Sequence, residues 1–236
     1  MRKLVLALAA LVASAAPAYA GIVLNDTFNL ENGGGSSVPY ANFANFTVTN
    51  GNVDLVATPD YGIVCAGGSG SCVDLAGSTA GTITSKAAYN YAAGARVSFS
   101  FDISGSQRGG SNTYFTDIFY SPNSVNPHTR TSSATYGPGQ FSNSSPLANG
   151  FHFDGANSGG DPFVTDNISF VATAPGTFSF DIGTADQTNA GPVLDNVVLS
   201  ISAVPEPASW AMMIVGLGLA GAALRRRSQT VARFAA

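Results

Sequence analysis

Residues 97–103 read Val97-Ser98-Phe99-Ser100-Phe101-Asp102-Ile103, and residues 178–182 repeat the phrase as Phe178-Ser179-Phe180-Asp181-Ile182. Apolar and polar side chains alternate with a period of two, the spacing that puts every apolar group on one face of an extended strand. The same alternation recurs in Phe46-Thr47-Val48, in Val53-Asp54-Leu55 and from Val193 to Ile201, and Gly, Asn, Ser or Pro clusters bound each run. No stretch of residues 21–203 sustains a 3.6-residue apolar period. Half-buried strands with one apolar face need a second sheet to cover them, so the predicted fold is all-β, a jelly-roll-like β-sandwich. In that fold Phe99, Phe101, Phe178 and Phe180 meet in the core. Asp102 and Asp181 then face outward, and neither is a good catalytic candidate.

Both ends of the chain differ from this pattern. Residues 1–20, MRKLVLALAALVASAAPAYA, place Arg2 and Lys3 before an apolar run, with Ala18 and Ala20 at −3 and −1 of a cut before Gly21. That is the layout of a secretory signal peptide, too short for a stable membrane span. The other end, residues 204–227, reads VPEPASWAMMIVGLGLAGAALRRR. Residues 208–224 are 17 uncharged, mostly apolar positions, about 25 Å of helix at roughly 1.5 Å per residue. This is the lower limit for a transmembrane helix. Arg225, Arg226 and Arg227 follow at once, as on the cytoplasmic side of a span, and residues 228–236 form a short tail. Pro205 and Pro207 hold the segment before the helix extended, a form an intramembrane peptidase can grip. The sandwich domain is thus residues 21–203.

The Pro205-Glu206-Pro207 triplet, Trp210-Ala211, the Gly-rich apolar helix and Arg225–Arg227, in that order, resemble the PEP-CTERM sorting signal of Gram-negative bacteria. The form with Trp-Ala after the triplet is the most similar. The resemblance implies recognition of the triplet, and cleavage at or near it, by an exosortase, a multi-pass membrane cysteine peptidase. It also implies a substrate linked with exopolysaccharide and biofilm: exported across the inner membrane, anchored there transiently, then found at the cell surface or outside the cell. More loosely, NGNVDLV, CVDLAGSTAGTITSK and SFSFDISGSQRG resemble the generic sandwich domain of many proteins with this signal.

The domain carries 13 acidic residues against Lys86, Arg96, Arg108 and Arg130, a net charge of −9. It lacks the basic footprint of a nucleic-acid binder. Cys65 and Cys72, the only cysteines, flank a Gly/Ser-rich segment and read as a disulfide in an exported chain. Asn25, Asp26 and Glu31 lie at the start of the domain and Asp195 on its last strand. First and last strands are commonly adjacent in a jelly roll, so these oxygens could share a calcium ion, a layout resembling the structural calcium site of some carbohydrate-binding sandwiches. The alternative is that Asp and Asn simply initiate turns. For a sugar-stacking surface the candidates are Tyr89, Tyr91, Tyr114 and Tyr120, with Tyr61 and Tyr136 also available.

Catalytic chemistry has little to work with. His128 and His152 are the only histidines, Glu31 is the only glutamate of the domain, and no GxSxG or HExxH frame is present. Residues 121–162 show no clear alternation, so either a poorly patterned strand lies near residues 150–154 or the segment is a long surface excursion. The leading expectation is an exported, non-enzymatic cell-surface or matrix protein. The alternatives are a calcium-stabilised carbohydrate-binding module and a secreted hydrolase using His128 or His152.

Overall fold

A computed structural model describes residues 20–121, 141–147, 150–202 and 213–222. Among them are β1 (Ala20–Asp26), β2 (Ser37–Tyr40), β3 (Phe46–Asn50), β4 (Val53–Ala57) and β5 (Ser71–Asp74). Next come β6 (Thr82–Ser85), β7 (Tyr89–Tyr91), β8 (Arg96–Ser104), β9 (Ser111–Ser121) and β10 (Phe141–Leu147). The last four are β11 (Gly150–Ser158), β12 (Val164–Val171), β13 (Gly176–Gly183) and β14 (Val193–Ser202).

These strands make two seven-stranded antiparallel sheets. Sheet A runs β12-β8-β14-β5-β4-β2, and β1 joins the edge of β14 beside β5. Sheet B runs β10-β11-β9-β13-β6-β3, and β7 shares the edge of β13 with β6. The predicted β-sandwich is therefore the fold.

The two phenylalanine phrases become β8 and β13, an interior strand of each sheet, and their rings meet as predicted. Phe99 and Phe180 stack tilted with centroids 4.1 Å apart, and Phe99 lies 5.9 Å from Phe178. Phe46 closes on Phe180 from β3 and Phe170 on Phe178 from β12. All are essentially water-free.

Strand β14 shows how sequence and register are reconciled. Leu194, Val197 and Leu199 all point into the core, yet Leu194 and Val197 are three residues apart, which strict alternation forbids. A bulge between Asp195 and Val198 absorbs the extra residue, with Asn196 in the left-handed region at φ 49°. Asn tolerates that conformation better than most residues.

A second, smaller core sits on the outer face of sheet A, where Val56, Ile63, Cys65, Cys72 and Val193 pack together. Cys65 and Cys72 are disulfide-bonded, as expected, with Cα atoms 5.5 Å apart. The bond fastens the segment after β4 to β5, keeping that apolar patch covered.

In the unpatterned region, β10 and β11 occupy residues 141–147 and 150–158, so a strand does run through 150–154; residues 122–140, including His128, lie outside the described residues. Alternation is masked in β11 because its inward positions include Gly155 and Asn157 beside Phe153.

Residues Ala20–Ala203 form one compact unit. Beyond it, residues 213–222 form a separate helix whose side chains are all exposed, Ile214 and Leu217 the most of them. No helix among the described residues is long and apolar enough to cross a membrane. Residues 208–212 and 223–224 of the expected span lie outside the described residues.

Candidate functional site

On β9 the sequence Ser111-Asn-Thr-Tyr114-Phe115-Thr-Asp117-Ile118-Phe119-Tyr120-Ser121 is apolar in both phases of its alternation. One phase, Tyr114, Ile118 and Tyr120, is buried in the core; the other, Phe115, Asp117 and Phe119, is half-buried on the outer face of sheet B. The four tyrosines named as a sugar platform are thereby corrected. Tyr91, Tyr114 and Tyr120 are core residues, and Tyr89 packs against the core from β7. Tyr114 carries its hydroxyl across the sandwich to donate to Asp166 on β12, at 2.5 Å.

The outer face of sheet B holds a row of polar groups fixed by pairing. His152 lies opposite Asp117, Asp117 opposite Asp181, Asp181 opposite Thr84, and Thr84 opposite Thr47. His152 Nδ1 is 2.5 Å from Asp117 Oδ1 and its Nε2 is 2.8 Å from Asp154 Oδ1. The imidazole also stacks on Phe115, with centroids 5.6 Å apart. Burial alone would lower the His152 pKa, but the hydrogen bonds and charges of Asp117 and Asp154 outweigh it, so the pKa is raised. The imidazolium, with two N–H donors, satisfies both carboxylates where a neutral ring could donate to only one. Burial pushes the Asp181 carboxyl up to about 6, and the charge of Asp117 adds to that.

Chemically, this face offers carboxylate oxygens between two apolar rings. Phe115 and Phe119 lie about 13 Å apart along the strand, and Asp117 sits midway. A ring plus flanking acceptors suits a ligand with one apolar face and several hydroxyls. Both nitrogens of His152 are engaged by carboxylates.

Of the four proposed calcium ligands, three accept hydrogen bonds within the fold. Strands β1 and β14 do pair, Asp26 opposite Val197. Asp26, however, accepts from the Phe28 N–H and the Asn45 amide, while Glu31 accepts from the Ala44 N–H and the Tyr40 hydroxyl. Asp195 accepts from the N–H groups of Ala66 and Asn196, and Asn25 is exposed. Among the described residues the one close group of potential ligands is Cys65, Cys72 and Asp195, and its two sulfurs are bonded to each other.

Asp195 sets a pH dependence instead. Burial pushes its carboxyl up to about 7, with the charges of Asp102 and Asp26 adding to the effect; burial likewise pushes Asp74 up to about 6. An unfolded aspartate titrates near 3.9, so between about pH 4 and 7 the folded chain binds more protons than the unfolded one. Stability is then greatest on the acid side of this window and falls as pH rises through it. The raised His152 pKa acts in the same direction. The melting temperature is expected to be about 5 °C higher at pH 5 than at pH 8, and Asp195→Asn should flatten the trend. A melting temperature that climbs with pH would contradict these burials.

At the other end of the chain, residues 203–227 match the family model described as the PEP-CTERM protein-sorting motif. The chain carries a PEP-CTERM sorting signal. The match contains Pro205, Glu206, Pro207, Trp210, Ala211 and Arg225–Arg227 and begins one residue after β14 ends at Ser202. No curated protein matches the chain. Solved structures similar to it include the CBM22-1 xylan-binding domain of Paenibacillus barcinonensis Xyn10C, at 10% identity and TM-score 0.45, over 80% of this chain and 99% of that one. The CBM22-1–GH10 modules of Clostridium thermocellum xylanase 10B are 14% identical at TM-score 0.43, over 78% of this chain and 29% of that one.

Proposed function

We propose that the protein is an exported, non-enzymatic cell-surface or matrix protein, processed through its PEP-CTERM signal by an exosortase-type peptidase and associated with exopolysaccharide. The observation that carries this reading is the junction between domain and signal. The compact unit ends at Ala203 and the triplet begins at Pro205. A cut at the triplet therefore releases a sandwich with every strand intact and removes the apolar helix with its Arg cluster. The engaged nitrogens of His152 favour a binding role over hydrolysis, and the Phe115–Asp117–Phe119 face supplies a surface for a polyhydroxylated partner.

Intact-mass analysis of the protein recovered from its own host tests this. The expected species starts at Gly21 and ends between Val204 and Pro207. Alanine at Pro205, Glu206 and Pro207 together should leave the tail on and the protein in the membrane fraction. A wild-type mass retaining Trp210 through Arg227 would make this a simple anchored protein and remove the matrix assignment.

A further inference from the structure

The outer face of sheet A carries a cavity of about 220 Å³ that has no part in sorting or in the His152 row. Its floor is apolar, Val56 of β4 and Ile63, both buried. Its charged groups come from parts of the chain far apart in sequence: Asp54 on β4, Asp74 at the end of β5, and Arg108 from the turn between β8 and β9. Tyr61 stands at the rim with 57% of its surface exposed.

The bonding pattern separates what the fold uses from what it leaves available. Asp74 is fully buried and saturated: Oδ1 accepts from the N–H groups of Ala76 and Gly191, and Oδ2 holds Arg108. Arg108 is thereby held through one nitrogen, and its side chain, 29% exposed, lines the cavity. Asp54 is half-buried and accepts no hydrogen bond from the described residues; burial raises its pKa and the charge of Arg108 opposes that rise. A fixed donor array thus lies beside an unpartnered acceptor over an apolar floor. Tyr61 adds a third sign. It is held in the left-handed region, φ 54° and ψ 17°, where a tyrosine is strained. Within its turn, Ser36 binds Asp60 and the Ile63 N–H donates to the Asp60 carbonyl. The Tyr61 ring lines the cavity rather than packing into either core.

We infer that this cavity binds one neutral sugar residue of a glycan, with Asp54 and Arg108 pairing to adjacent hydroxyls and Tyr61 covering the apolar face of the ring. A hydroxyl is donor and acceptor at once, so it can give its proton to Asp54 while accepting from Arg108, which neither a simple anion nor a simple cation does. Two carboxylates disfavour an anion, and a guanidinium seated on Asp74 disfavours a metal ion. The volume lies below that of pockets for drug-sized ligands, which suits a single ring at a chain end. The sugar's source follows from the matrix reading above, yet the two stand separately: a mass retaining the tail would remove that reading and leave the cavity as it is.

Saturation-transfer-difference NMR on the full chain in phosphocholine micelles, with D-glucose, D-galactose and D-mannose as probes, tests the assignment. At least one of the three should bind saturably at millimolar concentration. Tyr61→Gly relieves the strained backbone and Asp54→Asn breaks no hydrogen bond of the fold, so both variants should keep the wild-type melting temperature or exceed it. Each should weaken binding tenfold or more, while Leu30→Ala, at an exposed position outside the cavity, leaves it unchanged. Binding lost in Phe115→Ala and kept in Tyr61→Gly would place the sugar on sheet B and overturn the inference. So would preference for protonated D-glucosamine over all three neutral probes, or no binding by any.

Discussion

Phe180→Ala is expected to cost about 3–5 kcal/mol of folding stability, the range for deleting a large aromatic side chain from a packed core. Phe180 is fully buried on β13 and touches both layers at once: Phe99 of sheet A at 4.1 Å, Phe46 at 6.1 Å and Phe178 at 6.0 Å within sheet B. Phe99 and Phe178 belong to strands paired on both sides, so they have little freedom to close the gap, and an unfilled cavity adds to the lost burial. For a domain of this size the melting temperature should fall by roughly 10 °C, and urea unfolding should show a lower midpoint with an unchanged slope. A loss below about 1 kcal/mol would mean that the sheets are not held together through this pair.

Gly155→Ala should cost about 3 kcal/mol or more, although it adds a single methyl group. Gly155 pairs directly with Tyr114, and the ring of Tyr114 lies across it; a Cβ there would sit 2.0 Å from Tyr114 Cζ. The ring has nowhere to go, being 1% exposed, and its hydroxyl is tied to the buried Asp166 in the other sheet. Room for the methyl therefore requires overpacking, or loss of a hydrogen bond to a carboxylate, or both. Tyr114→Phe removes only the hydroxyl, so the double variant should be less destabilised than the sum of the two singles. Additive losses would show that the glycine and the tyrosine–aspartate link are independent.

What could be read from the sequence was whatever alternation encodes. The phenylalanine phrases give the core and one interior strand of each sheet because each has one apolar phase. Strand β9 is harder, since Tyr114, Ile118 and Tyr120 compete with Phe115 and Phe119 for the inside. The decisive sign is Asp117, which shares its phase with the phenylalanines and demands solvent. Reading tyrosine as the amphipathic, surface-seeking ring inverted the true arrangement. The disulfide was legible from two cysteines in an exported chain. The hydrogen-bond partners of Asp26, Glu31 and Asp195 were not, because they include the N–H groups of Ala44 and Ala66, far off in sequence. Nor could any local pattern reveal the sheet A cavity, assembled by topology from Asp54, Asp74 and Arg108.

Strand β14 is the interior of sheet A in space and its last member in time. It pairs with β8 along one edge and with both β1 and β5 along the other. A chain made from its N-terminus offers β1, β5 and β8 long before the strand that joins them exists. Sheet A therefore cannot close while the polypeptide is still being delivered, and long-range pairings of this kind form slowly in any case. The architecture works as a clock for sheet A, whose halves stay unjoined until its last strand is present. It locks when residues 193–202 arrive, three positions ahead of the triplet. Completion of sheet A and arrival of the sorting signal are thus neighbouring events along the chain.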